Sequence, residues 1–193
     1  MYRAVGVAIM RAGIDLADRK AISKLCKRLD IQFVQEGTAT KIYLGNEDVT
    51  NAIRTPSIDL IASTVSAFDI VREMMTRLQR NVASQGSLVA EGRDMGTVVF
   101  PEARHKFYID ASLELRVDRR FRERRDRGEP ISREKVKADL VKRDYQDMNR
   151  TLSPLKPAQD ATIIDTTTLN PQQVVDAILS KMRKPPGKVT TQE

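Results

Sequence analysis

The chain is poor in the residues that most often advertise a protein's chemistry. It has no tryptophan, one cysteine and one histidine among 193 residues. The lone cysteine, Cys26, excludes an internal disulfide framework and fits a reducing compartment, so a cytoplasmic location is expected. No activating neighbour is evident around it, and it reads as a packing residue. His105 has neither a metal-ligand cluster nor a nucleophile to pair with, and it reads as structural. Long apolar runs are missing as well. The run at residues 4–10 is seven residues long and is flanked by Arg3 and Arg11. That is too short to cross a bilayer, and it lacks the layout of a signal peptide. No internal repeat is found.

What the chain does have is positive charge. Thirty-three Lys and Arg against 26 Asp and Glu give a net charge of +7 and a pI near 9.7. An anionic partner is implied, and nucleic acid, phosphate metabolites and membrane surfaces all qualify on charge alone. An apolar fraction of 40% is enough for a core, and the length fits one domain with smaller appended subdomains. The polar, proline-bearing tail from Lys184 is expected to be disordered.

Periodicity predicts helices over residues 2–12, ending at Gly13, and over 18–29. Residues 31–35 and 40–44 read as strands, with 47–49 as a short third, forming a small antiparallel sheet between helices. A long helical region is expected over 57–82, bent around Phe68 and Asp69. Strands at 88–91, 106–110 and 161–165 then alternate with helices at 113–127, 133–149 and 171–182. This alternation implies an α/β fold with a parallel sheet.

The segment at residues 87–103, SLVAEGRDMGTVVFPEA, is the most informative. A short apolar strand runs into Glu91, Gly92, Arg93 and Asp94, followed by Gly96 and Thr97. Such a turn puts charges at the carboxyl edge of a sheet, where ligands bind in open α/β folds. The two glycines would permit tight turns and close approach by a ligand. An ordinary surface loop with an Arg–Asp pair is the alternative.

Seven arginines fall between Arg116 and Arg127, opposed by Asp118, Glu123 and Asp126. They fit a solvated helix face, a nucleic-acid surface or a lid of arginines closing over phosphates. Phe121 is the only aromatic there, which counts against base stacking. The glycine-proline turn at residues 128–132 suits the tip of a lid. Arg143, Asp147 and Arg150 are spaced i, i+4, i+7 and would line one helix face. Two guanidiniums there could clamp phosphate oxygens while the carboxylate accepts from sugar hydroxyls, or the row could be a surface salt-bridge stripe.

Taken together, these residues resemble the bacterial cytidylate (CMP/dCMP) kinases over residues 1–183. The likeness rests on the GRDxGT signature at Gly92–Thr97, on Tyr2-Arg3-Ala4, and on Ile53-Arg54-Thr55 ahead of Ser63–Phe68 and Arg72. It extends through the arginine-rich stretch to Arg143-Asp144, Asp147, Asn149-Arg150 and Leu152-Ser153-Pro154-Leu155. The resemblance implies a P-loop NTPase-like nucleoside monophosphate kinase core: a parallel sheet, a helical lid region at 113–150, and a nucleotide-binding insert region at 14–82 containing the small antiparallel sheet. It implies a monomer that takes CMP, dCMP and ATP, with Mg²⁺ as cofactor and neither membrane nor nucleic acid as partner.

The resemblance also assigns residues. Arg143, Arg150, Arg119 and Arg120 would serve the transferring phosphates. Arg3, Ser63, Arg72, Arg93, Asp94 and Asp147 would form the CMP site, with Asp147 on the sugar. Cytosine carries an amino donor where uracil carries a carbonyl, so Asp94 can accept from cytosine while Ser63 and Arg72 serve its acceptors. Arg3 and Arg93 can hold the monophosphate. Glu91 could hold Mg²⁺ through water.

One element of the family pattern does not occur in these 193 residues: a phosphate-binding loop of the form GxxxxGK[ST]. By the resemblance, Met1 falls where the family is already past its first strand, that loop and its first helix. The expectation is a start further upstream, or a shortened chain that turns over CMP negligibly by itself. A nucleotide-binding remnant without turnover and a basic nucleic-acid-binding protein remain as alternatives.

Overall fold

The computed structural model describes residues 1–37, 39–84 and 86–182. The tail expected to be disordered lies outside the described residues. The chain divides into two compact units, Met1–Val89 and a second that begins at Ala90.

The first unit is helical with a small antiparallel sheet. Helix α1 (Tyr2–Arg11) and helix α2 (Arg19–Arg28) come first. Asp18 caps α2 by accepting from the Ala21 N–H at 2.9 Å, which satisfies one of the free amides of the first turn. Strands β1 (Ile31–Glu36), β2 (Ala39–Leu44) and β3 (Glu47–Asp48) pair in that order, with Ile31 opposite Leu44 and Leu44 opposite Glu47. Arg11 ties α1 to β3 through a two-pronged pair with Glu47, both bonds 2.7 Å.

The expected helix over 57–82 is two helices, α3 (Pro56–Val65) and α4 (Asp69–Ala83). The chain leaves the helix at Ser66, and Phe68 takes an extended conformation as the N-cap of α4. Thus the break is complete rather than a bend. Helix α1 packs closely on α3, because a side chain at Gly6 would meet Ile61 at 3.4 Å and the Ala62 backbone at 3.6 Å. Between these helices lies one apolar cluster that includes Ile9, Ile22, Ile58, Val71 and Met75. Cys26 is buried in it, and that burial raises its thiol pKa, as expected of a packing residue.

The second unit has a two-stranded parallel sheet, β4 (Phe107–Asp110) beside β5 (Thr162–Asp165), with Phe107 opposite Thr162. Helices α5 (Leu113–Asp126) and α6 (Arg133–Asn149) form the predicted hairpin, and α7 (Pro171–Met182) follows β5. Ser112 and Ser132 cap α5 and α6, accepting from Leu115 and Lys135. Gly128 turns the hairpin with φ +76, a left-handed value that favours glycine.

The predicted strand at 88–91 is not formed. Those residues are irregular, and Val89 is fully exposed. A strand exists only through a ladder partner, and an apolar run does not supply one.

Candidate active site

The second unit gathers three of the predicted arginines, Arg93, Arg143 and Arg150, around the predicted carboxylate of Asp147. Asp147, in the last turn of α6, sits with its Oδ2 3.3 Å from Arg93 Nε and 3.9 Å from Arg143 Nε. Its Oδ1 is 3.4 Å from Arg150 Nη1. The side chains of Asp147 and Arg150 are each only 13% exposed, whereas Arg93 and Arg143 are about half exposed. So a largely buried acid holds two arginines that still reach solvent. Three guanidiniums around one carboxylate leave a net +2, a seat for a phosphate dianion.

Arg143, Asp147 and Arg150 come together at the end of α6, as the helix-face spacing predicts. Arg143 and Asp147 lie on α6, but Arg150 is its C-cap, with extended backbone at φ −67 and ψ 142. The Arg150 N–H still donates to the Gln146 carbonyl at 3.1 Å, so Arg150 meets Asp147 at the i, i+3 spacing of the helix end, and the chain then turns back against it. Arg150 Nε donates to the Ser153 carbonyl at 2.7 Å, and the Leu155 N–H donates to the Asp147 carbonyl at 2.7 Å. Ser153 holds a positive φ of 48, a costly conformation for a residue with a Cβ. The Leu-Ser-Pro-Leu element is therefore a turn that braces Arg150 and Asp147 from beyond the helix end.

Asp94 is buried at 4% exposure. Its carbonyl accepts from the Val98 and Val99 N–H groups at 2.9 and 3.2 Å, opening a single wide helical turn over Met95–Val99. The two glycines of this segment have a different use from the expected one. A side chain at Gly92 would strike Met95 at 2.8 Å, and one at Gly96 would press on Lys106 at 3.3 Å. Both leave room for the protein's own side chains, and neither has a positive φ.

Lys106, which sequence reasoning passed over, is almost wholly buried and pairs with Asp160 at 2.6 Å. That contact holds the Asp160 carboxyl below its ordinary range. A lysine heading a strand looks like any exposed lysine until its partner, 54 residues away, is placed.

The arginines of α5 are mostly engaged with protein. Arg116 reaches Asp144 at 2.5 Å, and Arg124 reaches Glu129 at 2.6 Å and Asp139 at 3.5 Å. Arg133 bridges Glu114 and Asp118, and Lys137 also meets Glu114. These bonds lower the Glu114 carboxyl pKa. Arg119 donates to the Thr166 carbonyl at 3.3 Å, just past the carboxyl end of β5, and Arg120 pairs with Glu123 at 2.7 Å. Arg125 lies 6.0 Å from the centre of the Phe121 ring. Two arginines of the run, Arg116 and Arg124, thus join α5 to α6, and Arg133 and Lys137 extend the charge ladder from the α6 side.

Glu91 is exposed, and among the described residues no group of three or more His, Cys, Asp or Glu is gathered to hold a metal. His105 belongs to no such group.

The first unit holds the remaining predicted residues. Arg3, on α1, donates to the Ile53 carbonyl at 3.2 Å and pairs with Asp59 at 2.8 Å. Arg72, on α4, is 6% exposed; its Nη1 donates to the Ser66 carbonyl at 2.8 Å, and its guanidinium lies 5.7 Å from the Tyr2 ring centre. Ser63 is exposed on α3, and its carbonyl accepts from Ser66 Oγ at 2.7 Å. Ser63 and Arg72 therefore border the α3–α4 break, whose Ser66 carbonyl Arg72 holds, while Arg3 sits at the start of α3.

The family profile described as cytidylate kinase matches residues 1–184. Relatives that carry the same name include a protein of Citrifermentans bemidjiense, 41% identical over 184 residues, covering 95% of this chain and 79% of the relative. One from Vibrio cholerae is 41% identical over 179 residues, covering 93% and 80%. One from Aeromonas hydrophila is 38% identical over 191 residues, covering 99% and 83%.

Proposed function

The chain belongs to the cytidylate kinase family, and from that membership we propose how its residues phosphorylate CMP and dCMP with ATP. The observation that carries the assignment is the convergence of Arg93, Arg143 and Arg150 on Asp147. A phosphate oxygen of CMP attacks the γ-phosphorus of ATP. The bond to the β–γ bridging oxygen breaks, ADP leaves, and CDP or dCDP is formed. No covalent enzyme intermediate is needed, so the protein's task is to position reactants and neutralise oxygen charge.

In this reading Arg93 and Arg3 hold the CMP phosphate, while Arg143 and Arg150 act where charge builds up on the transferring group. Arg119 and Arg120 serve the ATP side, exchanging their present carbonyl and Glu123 contacts for phosphate oxygens. Asp147 takes the sugar. Its Oδ2 is ion-paired with Arg93 and Arg143 without a formal hydrogen bond among the described residues, so it can accept from a sugar hydroxyl once those arginines turn to phosphate. Asp94 reads the cytosine amino group, and Ser63 and Arg72 read its acceptors. Glu91 would hold Mg²⁺ through water, and the ion would supply charge neutralisation on the ATP phosphates. We place the enzyme in the cytoplasm as a monomer. No helix among the described residues is long and apolar enough to cross a membrane.

The glycine loop that cradles nucleotide phosphates in the family pattern is not among these 193 residues. We therefore expect CMP binding to outlast turnover in this chain. The test is calorimetric titration with CMP, UMP and AMP, run beside a coupled assay for ADP formation. Selective binding of CMP supports the reading, with or without turnover. Equal binding of all three nucleotides, or salt-sensitive binding of RNA that CMP does not displace, contradicts it.

A further inference from the structure

Resting on that kinase reading, we propose that Lys106 is a positioning residue for the CMP site. Its buried ammonium clamps the turn that carries Asp94 to the loop that follows Arg150. The clamp lies at the amino ends of β4 and β5, away from the carboxyl edge where Asp110 and Asp165 end the strands.

The Lys106 side chain is 7% exposed, although the carboxylate it meets is 65% exposed. Its Nζ donates to the Pro101 carbonyl and to Asp160 Oδ2, the latter at 2.6 Å. The stem crosses Gly96. A side chain placed there would press on Lys106 Cδ at 3.3 Å and on Ala158 at 3.5 Å. One lysine thus touches both ends of the Asp94 turn and also the loop at 157–160. The backbone joins in, because the Lys106 carbonyl accepts from the Thr162 N–H at 2.8 Å.

Both clamped segments end at site residues. In the turn, Phe100 bonds to the Met95 carbonyl at 2.7 Å, and Val98 and Val99 bond to Asp94. A shift at Pro101 is therefore passed through one rigid turn to the buried Asp94. In the other segment, Arg150 and Asp147 are tied to Ser153 and Leu155. Burying an ammonium costs free energy unless it is fully partnered, so the pair stays closed once formed. An open cleft of about 400 Å³ adjoins the clamp, lined by Gly96, Thr97, Lys106, Lys156 and Ala158 among others. Because the Lys106 ammonium is spent on Pro101 and Asp160, it holds the cleft wall rather than a ligand.

The test uses Lys106→Met, which keeps the stem over Gly96 and removes the ammonium, and Asp160→Asn, a milder change at an exposed partner. The readouts are amide hydrogen exchange and CMP affinity by calorimetry. Lys106→Met is expected to speed exchange about tenfold at Val98, Val99, Phe100 and Thr162, with α1 to α4 unchanged. CMP affinity should fall roughly three- to tenfold in both variants. Asp160→Asn decides between positioning and plain charge. Removing a negative charge should strengthen CMP binding if only the field matters, and weaken it if the clamp matters. Unchanged exchange in Lys106→Met overturns the clamp. Faster exchange with unchanged or improved CMP affinity in Asp160→Asn overturns its link to the site. If the unaltered chain binds no CMP, the kinase reading fails, and exchange alone then decides whether the clamp exists.

Discussion

In the first unit, fourteen buried residues from Ala4 to Met75 form one apolar cluster, and the polar site residues sit on its margin. The second unit buries only four aliphatic side chains among its described residues: Val99, Val117, Val136 and Ile164. Its helix pair is joined instead by charges, with Arg133 on Glu114 and Asp118, Arg116 on Asp144, and Arg124 on Asp139. Apolar burial is insensitive to salt and pH, whereas half-exposed ion pairs are sensitive to both. The unit that carries most of the proposed phosphate chemistry is therefore the softer one. That suits an enzyme whose arginines must exchange protein partners for substrate oxygens.

The sharpest way to break this contrast is a core truncation. Met75→Ala, at a fully buried position of the first unit, should cost about 2–5 kcal/mol of that unit's stability. Denaturant unfolding followed by hydrogen exchange should show α1 to α4 opening while β4 and β5 stay protected. Simultaneous loss of both units would mean that they do not behave as separate cores.

Next in size is Arg150→Ala. If Arg150 acts on the transferring group, turnover in an enzyme with its phosphate loop in place should drop about a hundredfold, roughly 2.7 kcal/mol, with a smaller change in KM. Lysine at position 150 should recover only part of the loss, since it keeps charge but not the planar fork. Asp147→Ala should raise KM for CMP. It should also lower turnover, because three arginines lose their common partner. Near-normal kinetics in both variants would reduce the cluster to a salt-bridge row.

Asp94→Asn addresses base choice. The amide can donate to uracil's carbonyl, so the preference for CMP over UMP should narrow by about 1–3 kcal/mol. An unchanged ratio of kcat/KM values would remove Asp94 from base reading.

The smallest effects concern the charge ladder. Exposed pairs of this kind contribute little and are screened by salt, so added salt should lower the second unit's stability slightly and the first unit's, which has fewer of them, less. Acid should do the same. The Glu114 carboxyl is held below its ordinary 4.5, first by hydrogen bonds from Lys137 and Arg133. A depressed folded pKa gives stability that is present above the unfolded pKa and lost as pH falls through the folded one. The second unit should therefore weaken first as pH drops below about 4.5, a window that Asp160 and Asp165 extend downward from 3.8. Equal acid sensitivity of the two units would blunt the comparison.

Local signals explain which features could be read from the sequence. The bounds of α6 and α7 agree with their patterns, since Ser132 and Pro171 announce the starts. The break before Asp69 was marked by its residues, but its completeness follows from Arg72 seizing the Ser66 carbonyl. The strand at 88–91 failed because apolar composition specifies burial, not a ladder partner. The site was legible as residue types at fixed spacing, and Arg143, Asp147 and Arg150 do meet. The turn at Ser153 that braces Arg150 was not, since a helix wheel ends with the helix. The glycines of the Gly92–Thr97 motif do allow close approach, but the approaching groups are Met95 and Lys106.

The central claim is that the arginines gathered on Asp147 exist to hold a nucleotide's phosphate. Comparing the affinities of CMP and cytidine by calorimetry tests it most directly. Two charge-assisted contacts of about 1.5–3 kcal/mol each predict that CMP binds at least a hundredfold more tightly than cytidine. The advantage should shrink in Arg93→Ala and Arg150→Ala. Equal affinity for the nucleotide and the nucleoside would contradict the account.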